Sequence, residues 1–185
     1  IIPYPQNANG MTSIKLRPTG NQYGSTHHHG RKNYQMFSCT DIFGLYQFSQ
    51  IYESSLDVNY SLDMFFNMLV TFNYDYVIKI DDLTKLSTIT EYFQTQEDAL
   101  RFDERIRGIY QTSGGGDNNT DYSKLERVFL DFTNSNYDTL FNIGNHDFGI
   151  SLYRRDNTMK STQSNNWVKL ELDENGNVIK KPCNN

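Results

Sequence analysis

Between Gly24 and Phe43 the chain reads GSTHHHGRKNYQMFSCTDIF, which gathers three histidines, Ser38 and Asp41, the first acidic residue of the sequence. If STHHH is extended, its side chains alternate, so His27 and His29 share one face while His28 points to the other. Two imidazoles at that spacing can meet one metal ion, and Asp41 is the nearest carboxylate able to join them. A His2Asp set that leaves its fourth position to water is the open, catalytic type of zinc site. Such a centre lowers the pKa of water towards about 7 and polarises a carbonyl. Ser38, one helical turn from Asp41, is placed to donate to the oxyanion that then develops. These roles fit amide hydrolysis. The same residues also have ordinary explanations: a histidine run in an exposed loop, and Ser38 with Asp41 as helix caps.

The spacing His27-x-His29 followed by Ser38-x-x-Asp41 resembles the JAMM signature of the JAB/MPN metalloproteases. Eight residues, Gly30 to Phe37, separate its two halves, one more than is usual, and Gly30 stands where the family mostly has proline. The wider phrases MFSCTDIFGLYQF, GISLYRRD and NNWVKLELDENGNV, with a near-terminal PC, are similar to JAB-like domains of long Bacteroidetes proteins. The resemblance spans Tyr23 to Cys183. It implies an α/β chain with the cytidine-deaminase-like, three-layer JAB/MPN fold, a mixed sheet with flanking helices. It further implies zinc at His27, His29 and Asp41, with Ser38 assisting, and a peptide or protein as substrate or partner. The family uses a glutamate as general base on a strand upstream of H-x-H, yet no Glu precedes Glu53 here. Glu53 lies at the far end of the expected helix, about 18 Å from Asp41 at about 1.5 Å per residue. Glu91, Glu97, Glu104, Glu126, Glu171 and Glu174 read as surface charges. His146 and Asp147, in GNHDFG, read as part of a turn before a strand. Three functions therefore stand: a zinc peptidase or isopeptidase, a JAB-like interaction module without catalysis, and a histidine-dependent nuclease or toxin domain using His27 to Lys32.

These residues need elements to position them. QYGSTHHH is expected as a strand, and apolar residues at Ile42, Leu45, Tyr46, Phe48 and Ile51 give the 3.6-residue rhythm of a helix from Ser38 to about Tyr52. Ser38 with Asp41 three positions on has the form of a capping box. MFFNMLVTF and DYVIKI read as strands around a turn at NYD, and IDDLTKLSTITEYFQTQEDALRFDERIRGIYQ reads as one or two amphipathic helices with a solvated charged face. SGGGDNNTD is expected to be a loop and Tyr122 to Thr133 a helix. DFGISLYRRD and WVKLELDENGNVIKKPC are expected strands, the latter a hairpin turning at Glu174-Asn175-Gly176-Asn177. The boundaries follow: 1–22, an irregular segment whose MTSIKLR forms a short strand, and 23–185, a JAB-like domain that includes the C-terminal hairpin.

The bulk numbers agree with one domain. At 185 residues the chain has length for a single sizeable core, and 37% hydrophobic with 14% aromatic residues fills it. Its 17 basic against 22 acidic residues, net charge -5, leave no electrostatic footprint for nucleic acid. No run approaches the roughly 20 apolar residues of a membrane helix, so no membrane insertion is expected. IIPYPQNANG lacks an initiator Met and a signal-peptide pattern, which leads us to expect a mature fragment of a longer parent chain. Cys39 and Cys183 are too few and too far apart for a zinc ribbon. Cys39 is expected as a buried free thiol, with a Cys39–Cys183 bridge as the alternative in an oxidising compartment.

Overall fold

The computed structural model describes residues 23–29, 35–54, 61–113, 120–135, 146–156 and 167–183. The expected strand at MTSIKLR, the rest of 1–22 and the glycines at 114–116 lie outside the described residues. The strands are β1 (Gly24–His28), β2 (Phe66–Val70), β3 (Tyr74–Ile80), β4 (Asn134–Ser135), β5 (His146–Asp147), β6 (Ile150–Asp156), β7 (Val168–Leu172) and β8 (Val178–Pro182). Six of them make a mixed sheet in the order β1-β2-β3-β6-β7-β8, while β4 and β5 pair separately. Only β1 and β2 run parallel; the other neighbours in the sheet are antiparallel. A parallel pair needs a crossover, and here it is α1 (Cys39–Ser54).

Residues paired directly across strands share a face. One row therefore runs His27, Leu69, Tyr76, Arg154, Val168, and the next runs Ser25, Asn67, Ile78, Leu152, Leu170. Leu69, Tyr76, Ile78, Leu152 and Leu170 on this face are buried, whereas Val70, Val77, Lys79, Tyr153, Lys169 and Glu171 on the other are half-exposed. α1 packs on the buried face through Ile42, Leu45 and Phe48, and the Asn67 side-chain amide donates to the Asp41 carbonyl at 2.6 Å. The chain is an α/β protein, as expected in outline.

The long amphipathic stretch differs from expectation. It forms three helices, α2 (Leu83–Ser87), α3 (Ile89–Tyr92) and α4 (Gln96–Thr112). Asp82 caps the first by accepting from the Lys85 N–H. The break before α4 is made by Phe93, which turns extended, is fully buried and meets Phe102 at 4.8 Å between ring centroids. Thr95 and Asp98 then restart the helix with a reciprocal capping box. α4 packs on α1, with Ile106 and Tyr110 buried and the Tyr110 hydroxyl donating to the Phe37 carbonyl at 3.1 Å.

α5 (Tyr122–Thr133) has the expected bounds, and its Leu125, Phe129 and Phe132 enter the core. Glu126 does not sit at the surface as a solvated charge. It is buried, accepts from the Tyr76 hydroxyl at 2.7 Å and pairs with the Arg154 guanidinium, whose carbon lies 4.4 Å from the Tyr74 ring centre. The hairpin of β7 and β8 turns where expected: Gly176 adopts φ 73° and donates its N–H to the Asp173 carbonyl. No helix among the described residues is long and apolar enough to cross a membrane.

Candidate metal centre

β1 begins with Gly24 because no larger residue fits: a Cβ there would lie 2.2 Å from the Phe66 carbonyl oxygen. The close approach lets β1 pair along β2, and the pairing continues past the strand with His29 N–H donating to Val70 at 3.3 Å. Alternation then acts as expected. His28 is exposed, while His27 and His29 are half-buried with ring centroids 4.9 Å apart. Phe37, fully buried, closes the inner side of His27 at 6.1 Å in an edge-on contact.

The third group arrives from the start of α1. Ser38 is its N-cap, and Asp41 stands at the third helical position. The Ser38 N–H donates to Asp41 Oδ2 at 2.7 Å and the Asp41 N–H to Ser38 Oγ at 3.3 Å, completing the reciprocal box. Ser38 Oγ also donates to Asp41 Oδ2 at 2.8 Å. One carboxylate oxygen is thus held by the cap. The other, Oδ1, lies 3.4 Å from His27 Nε2.

His27, His29 and Asp41 each offer a ligand atom, and these atoms lie within 4.8 Å of one another. His27 Nε2 is buried and has no hydrogen-bond partner. Leaving such a nitrogen unpartnered costs about 1–3 kcal/mol, and a cation held among the three groups would satisfy it. The donor set, two imidazoles and one carboxylate, is the chemistry zinc takes. The residues present therefore fit the metal that the sequence implied. The cluster lies where the parallel pair of β1 and β2 ends and the helix joining them begins.

Sequence reasoning missed the support behind this cluster. Asp103 of α4, taken as part of a solvated face, is buried and accepts from the Cys39 and Thr40 backbone N–H groups and from the Thr40 hydroxyl at 2.7 Å. Burial, with the nearby Asp41 charge adding, pushes its carboxyl up to about 6 against the hydrogen bonds that oppose the shift. Two carboxylates thus meet the positive end of α1. No local signal marks Asp103, which lies over 60 positions from the helix it caps. Cys39 is buried and free, and burial with the Asp103 charge pushes its thiol up. Cys183 is free and exposed.

The remaining histidine is elsewhere. His146 bonds the Phe132 carbonyl and sits among Tyr92, Phe132 and Phe148, and Asp147 accepts from Lys85 Nζ at 2.6 Å. The two form β5 rather than a turn, and Gly149, two residues on, adopts φ 60°. Neither joins the His27 cluster. Comparison with protein-family models, curated proteins and solved structures finds no match to this chain.

Proposed function

We propose that the chain is a zinc-binding domain of the JAB/MPN metallopeptidase type, with the cytidine-deaminase-like arrangement of a mixed sheet and flanking helices, acting on peptide or protein amides. The observation that carries the reading is the buried, unpartnered Nε2 of His27 facing His29 and the free oxygen of Asp41. When bound, such an ion acidifies water at its open position and polarises a carbonyl. His27 in β1 and His29 one residue past it would supply imidazole nitrogens from backbone fixed against β2. Asp41 supplies a charge whose direction Ser38 sets. Ser38 has one hydroxyl proton, engaged with Asp41 Oδ2, so donation to an oxyanion requires that hydroxyl to turn while the Ser38 N–H keeps its hold.

No glutamate among the described side chains stands with this constellation. Glu126 is tied to Arg154 and Tyr76, Glu171 to Lys169 and Lys181, and Glu91, Glu97, Glu104 and Glu174 are exposed. That distribution favours a second reading, a JAB-like module that binds metal and a protein partner without turnover. General acid–base help is worth about 10² to 10⁴ in rate, so peptidase assays separate the two. The metal itself is tested by elemental analysis of the purified chain. Stoichiometric zinc is expected, lost on His27→Ala, His29→Ala or Asp41→Ala and kept on His28→Ala. Zinc content unaffected by the first three substitutions sinks the assignment. With zinc present, chelator-sensitive cleavage of peptides by this chain alone supports an enzyme with its base in place. Its absence, relieved by adding a glutamate-bearing segment of a longer parent chain, supports a base supplied from there.

A further inference from the structure

Four side-chain oxygens stand in line from α4 to the cluster: Asp103 Oδ2, Thr40 Oγ1 at 2.7 Å, Ser38 Oγ at a further 2.7 Å and Asp41 Oδ2 at a further 2.8 Å. Asp103 is anchored independently of this line, because its Oδ1 accepts from the Cys39 and Thr40 N–H groups. The backbone of the first turn of α1 and the hydroxyls that hold Asp41 are therefore fixed by one residue of another helix. We infer that Asp103 is a positioning residue for the metal centre, acting through Thr40 and Ser38 to hold the Asp41 carboxylate with Oδ1 turned towards His27.

The physical argument is one of constraint. Asp41 is about one-fifth exposed at its side chain, and an aspartate has two rotatable bonds, so its own packing does not fix the second oxygen. The Ser38 N–H and Oγ both bind Oδ2, which leaves Oδ1 for the histidines. Ser38 Oγ is in turn within hydrogen-bond reach of Thr40 Oγ1, and Thr40 Oγ1 donates to Asp103. Three contacts thus share two hydroxyl protons. An amide at position 103 would supply the missing donor through its Nδ2 while its oxygen still accepts from Cys39. Partners of this kind behind metal ligands are worth on the order of 10- to 100-fold in affinity.

The inference rests on the zinc reading, and its test separates the two. Zinc affinity of the full 185-residue chain is measured by competition with a chromophoric chelator, alongside thermal melts and the visible spectrum of the Co²⁺-loaded protein. Asp103→Ala is expected to lose on the order of 10- to 100-fold in zinc affinity and Asp103→Asn to retain it. Thr40→Val leaves the backbone N–H bonds to Asp103 intact, so the metal-free chain stays folded with a melt lowered by no more than one lost hydrogen bond, yet it loses zinc affinity and alters the Co²⁺ spectrum. This variant decides the matter if Asp103→Ala does not fold. A wild-type chain that takes no zinc overturns both readings. A wild-type chain that binds zinc, with Thr40→Val matching it in affinity and spectrum, overturns the positioning role alone and leaves Asp103 a helix cap.

Discussion

At the scale of single residues, two buried groups make measurable statements. Cys39 is fully buried against the negatively charged Asp103, so both its access and its thiolate fraction are suppressed, whereas Cys183 is exposed. A native-state thiol titration with a disulfide reagent should therefore count one reactive cysteine, and two only after unfolding. Mass loss of two protons in the untreated protein, the mark of a bridge, would overturn this. Asp103 has a folded pKa of about 6 against 3.8. The folded state binds its proton more tightly than the unfolded chain, so the stabilising contribution is fully present below about pH 4 and is lost as pH rises through about 6. The shift corresponds to an order of 3 kcal/mol. Chelator-treated wild-type protein should thus lose stability relative to Asp103→Asn between about pH 4 and 6, measured by urea unfolding at each pH. Parallel profiles would show that Asp103 is not the group responsible.

At the scale of elements, two helices are tied to the sheet by something besides apolar contact. α1 is tied by Asn67 to the Asp41 carbonyl and α5 by Glu126 to Tyr76 and Arg154. The second tie has the larger consequence, because Arg154 is itself buried. Removing one member of such a pair leaves an uncompensated buried charge, at a cost of about 3–5 kcal/mol. Glu126→Ala should lower the unfolding free energy by that amount, while replacing the exposed Glu97, which pairs with Arg101 one turn on, should change it by less than about 1 kcal/mol. Equal, small effects at both positions would mean that solvent reaches Arg154.

At the scale of the whole molecule, the cluster joins β1 at one sheet edge to α1, and α4 supports it from outside. A ligand that binds only this assembled state stabilises all of it. At about 100-fold excess over its Kd, zinc should add about 2.7 kcal/mol. For a domain of this size that is a rise in Tm of about 5 to 10 °C. EDTA should reverse the rise, and His27→Ala should abolish it while leaving His28→Ala unaffected. A melt insensitive to zinc and EDTA would remove the metal from the account of this protein.

What the sequence determined by itself was local. Alternation in STHHH placed His27 and His29 on one face, Ser38 with Asp41 wrote its own capping box, and the 3.6-residue rhythm of Ile42, Leu45, Tyr46, Phe48 and Ile51 marked α1, because each depends on neighbours within a turn or two. The strands and the α/β class were legible for the same reason. Only the tertiary structure decided what depends on partners far along the chain. It divided 80–111 into three helices because Phe93 is drawn into the core. It buried Glu126 against Arg154 and set Asp103 beneath α1, although in sequence Glu126 and Asp103 look like parts of charged or amphipathic surface. A carboxylate's burial depends on which N–H, hydroxyl or guanidinium meets it, and chain folding brings those groups from 28 and 64 positions away. The convergence of Asp41 on the histidines has the same origin: the strand and the cap are each local, but the 3.4 Å between them exists only because α1 packs across β2.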